Sequence, residues 1–353
     1  MPYLVSHYGN PSTLYRSGRL ARSAVEAARI QVASLVGAQP AQVIFTSGGT
    51  EANNLALKGF CWNKPCCAEL LVGATEHDSV LSPAESLEKS GWGLGRIPVD
   101  GNGLIDIDRL SSVVSDKTRL MSVMMASNET GVVQDIAALA AWAKNRGITF
   151  HSDAVQVAGK LPINFPQSGV QMMSLSAHKM YGPKGVGALV VDRSIELEPL
   201  FHGGGQEKGD RSGTENVAAI VGFGKAAELA MQERSQRAKD AERLRSKLEK
   251  GLSGMARVVV FADQAKRLPN TLQLGVEGVD GEMLLMQLDR KGIEVSSGSA
   301  CSSGGKEPSH VLLSMGVERE LARSAIRVSL GRDNSENDID TFLREFKQII
   351  SRL

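Results

Sequence analysis

The sequence predicts an α/β fold built on a largely parallel sheet, and three observations point to it. Short apolar runs recur and alternate with helical spacing. Each run ends in polar side chains. One run leads through a glycine turn directly into a helix. The 353 residues suffice for two domains with proper cores. A break near Glu233 is expected, giving a large domain over 1–233 and a smaller one over 234–353.

From Arg19 to Val36 the apolar residues follow a helical period, and Gly37 with Pro40 ends that helix. Gln42 to Phe45 reads as a strand. Thr46-Ser47-Gly48-Gly49-Thr50-Glu51 then turns the chain into a helix through Leu57, an arrangement whose exposed N–H groups and dipole suit a phosphate. It matches neither G-x-G-x-x-G nor the P-loop, so the dinucleotide and P-loop readings lose ground. Leu70 to Val72 leads to Ala74-Thr75-Glu76-His77, and Arg119 to Met125 to Ala126-Ser127-Asn128-Glu129-Thr130-Gly131. Ile148 to Phe150 leads to His151-Ser152-Asp153-Ala154-Val155-Gln156, and Met172 to Leu175 to Ser176-Ala177-His178-Lys179. In an open parallel sheet the ligand crevice lies outside the carboxyl ends of the strands. One rim therefore collects Thr50, His77, Asn128, Asp153, Gln156, Ser176, His178 and Lys179. A turn or cap role is the bland alternative for each singly. Lys179, followed by Tyr181-Gly182-Pro183, is expected to be partly desolvated, and a desolvated amine can form a Schiff base with a carbonyl cofactor.

Gly203 to Thr214 is a glycine-rich loop, and Glu215 to Leu252 a long helix with a densely charged, solvated stretch. The second domain opens with Val258 to Phe261 and closes with an amphipathic helix, Ile339 to Leu353. Between them, Ser296 to Gly305 is a run of small residues around Cys301, expected to be a mobile polar loop that exposes a thiol. Ser324 to Leu330 alternates as a strand, with Arg327 opposite Ile326, Val328 and Leu330. A guanidinium held on such a strand suits a bidentate carboxylate clamp; an ordinary surface arginine is the alternative.

Forty basic and 39 acidic residues leave a net charge of +1, without the basic excess of a nucleic-acid or anionic-membrane binder. No apolar run reaches the ~18 residues of a membrane span, and no signal peptide is visible. A cytoplasmic location is expected. Four cysteines do not make a disulfide framework. Cys61, Cys66 and Cys67 lack a fourth ligand nearby for zinc or a cluster and are expected to be loop or core residues.

Together, Phe45 to Glu51, Thr75-Glu76-His77, Asn128 to Gly131, Asp153 to Gln156, Ser176 to Lys179, Arg211-Ser212-Gly213-Thr214, Ser296 to Cys301 and Arg327 to Arg332 resemble the cysteine desulfurases. These are pyridoxal-phosphate enzymes of the class V aminotransferase superfamily, and the match runs in order from about Gly9 to the C-terminus. The resemblance implies the pyridoxal-phosphate transferase fold of type I: a large domain with a mostly parallel seven-stranded sheet between helices, and a smaller α/β C-terminal domain. It implies that Lys179 binds pyridoxal 5'-phosphate as a Schiff base and that Asp153 pairs with the ring nitrogen. His77 would stack on the ring and assist proton transfer, and Gln156 would bond the phenolic oxygen. Thr50, Ser176 and His178 would hold the phosphate and Gly49 would also contact the cofactor, with Thr214 reaching the neighbouring subunit's phosphate in a homodimer. Asn128 would border the cofactor and, with Arg327, hold the carboxylate of the substrate, L-cysteine. Cys301 would take the sulfur as a persulfide and release alanine. The long cysteine loop resembles the group that passes sulfur to an acceptor protein in iron–sulfur assembly or tRNA thiolation.

The chain departs from the family pattern at both ends. Members open with a strand and an Ala-Thr-Thr-type run, whereas here Met1-Pro2-Tyr3-Leu4 leads almost directly to Gly9-Asn10-Pro11, so that piece is expected to be missing. The chain ends at Leu353, without the longer tail that some members set against the scaffold. A selenocysteine lyase or related β-lyase would use much the same cofactor site and differ in what it asks of Cys301. A non-catalytic homologue acting as a binding module is the reading that the short N-terminus favours.

Overall fold

The computed structural model describes residues 2–64, 67–297 and 307–353. The chain forms two compact units. The larger comprises Met1–Ile97, Ile107–Met125 and Asp135–Arg234, and the smaller Pro98–Asp106, Ala126–Gln134 and Ser235–Leu353. The division inside the long helix Val217–Leu252 falls at Arg234. A single cut near Glu233 would leave 98–106 and 126–134 in the larger unit, whereas they group with the smaller one.

The larger unit is built on seven strands: β1 (Val43–Thr46), β2 (Glu69–Gly73), β3 (Gly93–Ile97), β4 (Thr118–Ser122), β5 (Thr149–Asp153), β6 (Met172–Ser176) and β7 (Gly187–Val191). Their order is β1-β7-β6-β5-β4-β2-β3. β7 runs antiparallel to both of its neighbours, while the pairs from β6 to β3 are parallel. Only β7 opposes the common direction. The carboxyl ends of β1, β2, β4, β5 and β6 consequently open on one rim. β6 and β7 are buried along their whole length, as strands covered on both faces must be.

Local sequence explains the elements around this sheet. In the helix Arg16–Val36 the buried face is Ala21, Val25, Ala28, Val32 and Val36, spaced at three to four residues. Gly37 ends it at φ 70°, a left-handed conformation that costs glycine little. Helices pack on Ile44, Leu55, Leu70, Val80, Leu120, Met172 and Leu189 in one continuous core. The polar exceptions inside the sheet are hydrogen-bonded: Ser152 Oγ donates to Val123 O at 2.8 Å, and His151 lies between Ser122 Oγ (2.8 Å) and Ser174 Oγ (3.0 Å).

The edge strand β1 is closed by a buried ion pair. Arg29 donates from both terminal nitrogens to Glu207, each at 2.7 Å, and also from Nη1 to Val43 O at 2.8 Å. Glu207 Oε2 in turn accepts from Phe45 N–H at 2.8 Å. The outward groups of an edge strand are thus taken up by side chains, which removes a template for pairing with another chain.

In the smaller unit, β8 (Val258–Val260), β9 (Thr271–Val276), β10 (Ser296–Ser297) and β11 (Ile326–Ser329) form an antiparallel sheet of order β10-β11-β9-β8. The helix Glu336–Ile350 buries Ile339, Phe342, Phe346 and Ile349 in a core shared with Leu272, Leu274, Leu284 and Ile326. Its start is closed reciprocally by Ser335 and Asp338. Beyond Ser297 the expected cysteine loop, with Cys301, Gly304 and Gly305, lies outside the described residues, as does Cys66. Cys61 is buried and Cys67 exposed.

Removing one partner of the β1 ion pair leaves a buried charge without compensation. Glu207→Ala is expected to lower stability by about 3–5 kcal/mol, measured by urea unfolding. A loss below about 1 kcal/mol would mean that the pair is solvated like a surface one.

Candidate active site

The rim is assembled from strand ends. After β1, Thr46 Oγ1 donates to Gly48 O at 3.0 Å and Ser47 N–H donates to Glu51 Oε2 at 2.8 Å, folding the glycine turn onto the helical run that starts at Gly49. A Cβ on Gly49 would lie 2.7 Å from Val155 Cγ2, and one on Gly187 would lie 2.7 Å from the Gly48 backbone. Only glycines let the turn sit this close to the chain after β5 and to β7. The first N–H groups of a helix have no partner within it, so this end suits an anion. Thr50 is exposed there.

Asp153, at the end of β5, is buried at 7% exposure. Asn53 Nδ2 donates to its Oδ2 at 2.7 Å and Val155 N–H to its Oδ1 at 2.9 Å. The same Asn53 nitrogen donates to Ser79 Oγ at 2.8 Å. His77 Nδ1 lies 2.8 Å from Ser79 Oγ and accepts from Ser79 N–H at 3.1 Å. Because Nδ1 accepts a backbone N–H, neutral His77 carries its proton on Nε2. Burial pushes the Asp153 carboxyl above its ordinary range, and the donors Asn53 and Val155, with His77 and Lys179 charge, pull it back. Among these groups, a cation brought to Asp153 would offset much of the burial cost.

After β6, Ser176 is fully buried, and its Oγ lies 2.9 Å from His178 Nδ1. A single tight turn, Ala177–Met180, presents His178 and Lys179, and Tyr181 closes it at φ 66°. Lys179 is exposed. The desolvation expected from its place at a strand end is therefore corrected: the turn lifts the side chain above the sheet to the surface of this chain. Partial burial and the Lys179 and Lys184 charges lower the pKa of His178, which favours its neutral form. Gln156 Oε1 accepts from Lys160 Nζ at 3.0 Å, so a further bond from this side chain to an oxygen would come from its Nε2 donors. Thr214 is exposed, on a loop held to the helix start by Arg211 Nε donating to Glu51 Oε1 at 2.9 Å.

Asn128 and Arg327 belong to the smaller unit and meet there: Arg327 Nη1 donates to Asn128 O at 2.7 Å. Asn128 Oδ1 is buried without a hydrogen-bond partner among the described residues. Gln273, which faces Arg327 across β9 and β11, donates to Glu129 Oε2 at 3.1 Å, and Ser309 Oγ donates to the same oxygen. Burial raises the Glu129 pKa against the pull of Ser309, Gln273, His310 and Arg327. The structure thus brings Gly49, Thr50, His77, Asp153, Gln156, Ser176, His178, Lys179 and Thr214 into the larger unit and Asn128 with Arg327 into the smaller. Sequence reasoning missed Asn53 and Ser79. Asn53 lies one helical turn past Thr50 and Ser79 two residues past His77, a spacing compatible with N-capping but silent about a distant carboxylate.

Residues 1–342 match the family described as aminotransferase class-V. The chain is 42% identical to a cysteine desulfurase IscS of Dictyoglomus turgidum, over 100% of this chain and 90% of that protein. It is equally 42% identical to a cysteine desulfurase of Trichormus azollae, covering 88% of it. A solved NifS-like protein superposes with a TM-score of 0.93 at 36% identity, covering 100% of this chain and 94% of that one. The chain belongs to the class-V aminotransferase family. Within it, these relatives place the chain among the cysteine desulfurases.

Full burial pushes the pKa of His151 from 6.5 down to about 3. The unfolded chain takes up a proton there that the folded one refuses, so this stability is present above about pH 6.5 and is lost as pH falls toward 3. His151→Gln is expected to flatten the acid limb of stability against pH by up to about 1.4 kcal/mol per pH unit. An unchanged slope in urea unfolding would show that His151 is charged when folded.

Proposed function

We propose that this protein is a cysteine desulfurase that binds pyridoxal phosphate through Lys179, removes sulfur from L-cysteine and releases L-alanine, keeping the sulfur as a persulfide on Cys301. The observation that carries the reading is the Asp153 carboxylate, buried on two donors and facing His77 and Lys179. It fits the protonated ring nitrogen of pyridoxal phosphate, the helix start at Gly49 and the Ser176–His178 pair fit its phosphate, and Gln156 Nε2 suits its phenolic oxygen. Bound there, the cofactor supplies an electron sink for a carbanion at the substrate α-carbon.

The chain's own residues do the rest. Asp153 keeps the ring cation charged by pairing with it. His77 covers the ring with its Nε2–H, the tautomer that Ser79 fixes. Lys179 provides the amine that receives the cofactor and moves the α-proton. Arg327, with Asn128, holds the substrate carboxylate by charge-assisted hydrogen bonds. The Cys301 thiolate attacks the substrate sulfur; the carbon–sulfur bond breaks, the S–S bond forms, and the freed carbon takes a proton to become the methyl group of alanine.

The protein acts as a homodimer, with exposed Thr214 reaching the partner's phosphate. It works in the cytosol and hands its sulfur to an acceptor protein, for iron–sulfur assembly or for thiolation. No helix among the described residues is long and apolar enough to cross a membrane.

Lys179→Ala is expected to reduce alanine production from L-cysteine by more than about 10³-fold, and Cys301→Ala to remove persulfide formation and with it turnover. Alanine released at the full rate by Cys301→Ala would replace the desulfurase mechanism with that of a β-lyase.

A further inference from the structure

Glu76 has no part in the chemistry above, although its side chain is fully buried beside the site. Its Oε1 accepts the N–H of Met124, just beyond β4, and the next N–H, of Met125, donates to Asp153 O at 2.8 Å. The chain leaving β4 is therefore fastened to Glu76 on one residue and to β5 on the next. Gly73, where β2 ends, makes the room: a Cβ there would lie 2.8 Å from Glu76 Oε1.

Glu76 and Asp153 are close enough that a charge on Asp153 disfavours one on Glu76. Two carboxylates sharing a dry site do not both ionise at neutral pH, because each charge raises the cost of the other. Burial and the surroundings of each decide which one does. Asp153 has the Asn53 amide and the Val155 N–H, and the Lys179 charge also favours its ionised form. Glu76 is fully buried and faces a like charge, and its burial outweighs the bond from the Met124 N–H and holds its pKa well above the ordinary value. His151, two residues before Asp153, is neutral at that pH and contributes no compensating charge.

We propose that Glu76 is a positioning residue that keeps its proton at neutral pH, so that Asp153 is the single anion beneath the bound cofactor. An ionised Glu76 would drive Asp153 toward its protonated form and remove the partner of the ring cation. A neutral carboxyl avoids this while its Oε1 still anchors Met124. The consequence for the cofactor rests on the function proposed above; the protonation of Glu76 does not.

Infrared spectroscopy of the purified holoenzyme tests it. A protonated carboxylic acid has a carbonyl stretch that a carboxylate lacks, and carbon-13 labelling of glutamate moves that band if a glutamate carries it. The expected result is a labelled acid band at neutral pH that Glu76→Gln removes and that survives Glu129→Gln, the change at a second buried glutamate whose pKa burial raises. In Asp153→Asn the pH at which the band vanishes should fall by about one unit or more, a shift that a purely structural acceptor would not show. No glutamate acid band, or one that Glu76→Gln leaves in place, overturns the proposal. Should Glu76→Gln fail to fold, labelled Glu129→Gln protein decides alone, since a surviving acid band supports the proposal and an absent one overturns it. The signal does not need the cofactor, so repeating it on protein freed of cofactor separates failure of this proposal from failure of the cofactor reading.

Discussion

A carboxylate buried at the end of a parallel strand is the constraint on which the candidate site depends. Taking an ionised group such as Asp153 out of water costs several kcal/mol even after the protein relaxes. Hydrogen bonds to a charged group return about 1.5–3 kcal/mol each, and Asn53 and Val155 supply two. The burial cost is thus offset only in part, and a bound cation is the natural remainder. The same Asn53 nitrogen reaches Ser79, and Ser79 fixes the tautomer of His77. The helix after β1, the turn after β2 and the end of β5 are therefore coupled through a single carboxylate.

Sheet topology makes this coupling possible. With only β7 reversed, the ends of β1, β2, β4, β5 and β6 open together, so residues more than a hundred positions apart in the chain share one rim. The reversed strand has its own part, because Gly187 lets β7 approach the glycine turn. At the outer edge, Arg29 and Glu207 close β1 with side chains, and Arg211 ties the loop before Thr214 to Glu51. The edge of the sheet and the helix start are held from the same stretch of chain, Glu207 to Arg211.

Where the signal was local, the sequence was legible. The helix Arg16–Val36 was visible through its period and Gly37, and the polar strand ends marked the rim. β3 was not read, because Gly93, Gly95 and Arg96 dilute its apolar pattern and it is partly exposed at the sheet edge. β7 was not read either: Gly-Ala-Leu-Val-Val is too short to tell strand from loop core without knowing its neighbours. Contacts between distant segments left still less trace. The residues 126–134 by themselves do not reveal that Asn128 groups with Arg327, a pairing that only the family resemblance implied, and nothing in Asn53 reveals Asp153, since an asparagine within a helix looks the same whether it faces solvent or a carboxylate. The exposure of Lys179 was misjudged because strand-end position speaks of burial below the rim, whereas one tight turn lifts the side chain above it.

The central claim is that Lys179 holds pyridoxal phosphate at this rim. Reducing the holoenzyme with borohydride fixes a lysine-bound pyridoxal group permanently, and mass spectrometry of the peptides then locates it. The account predicts one pyridoxyl group per chain, on Lys179. A label on another lysine, or none in protein supplied with the cofactor, would contradict it.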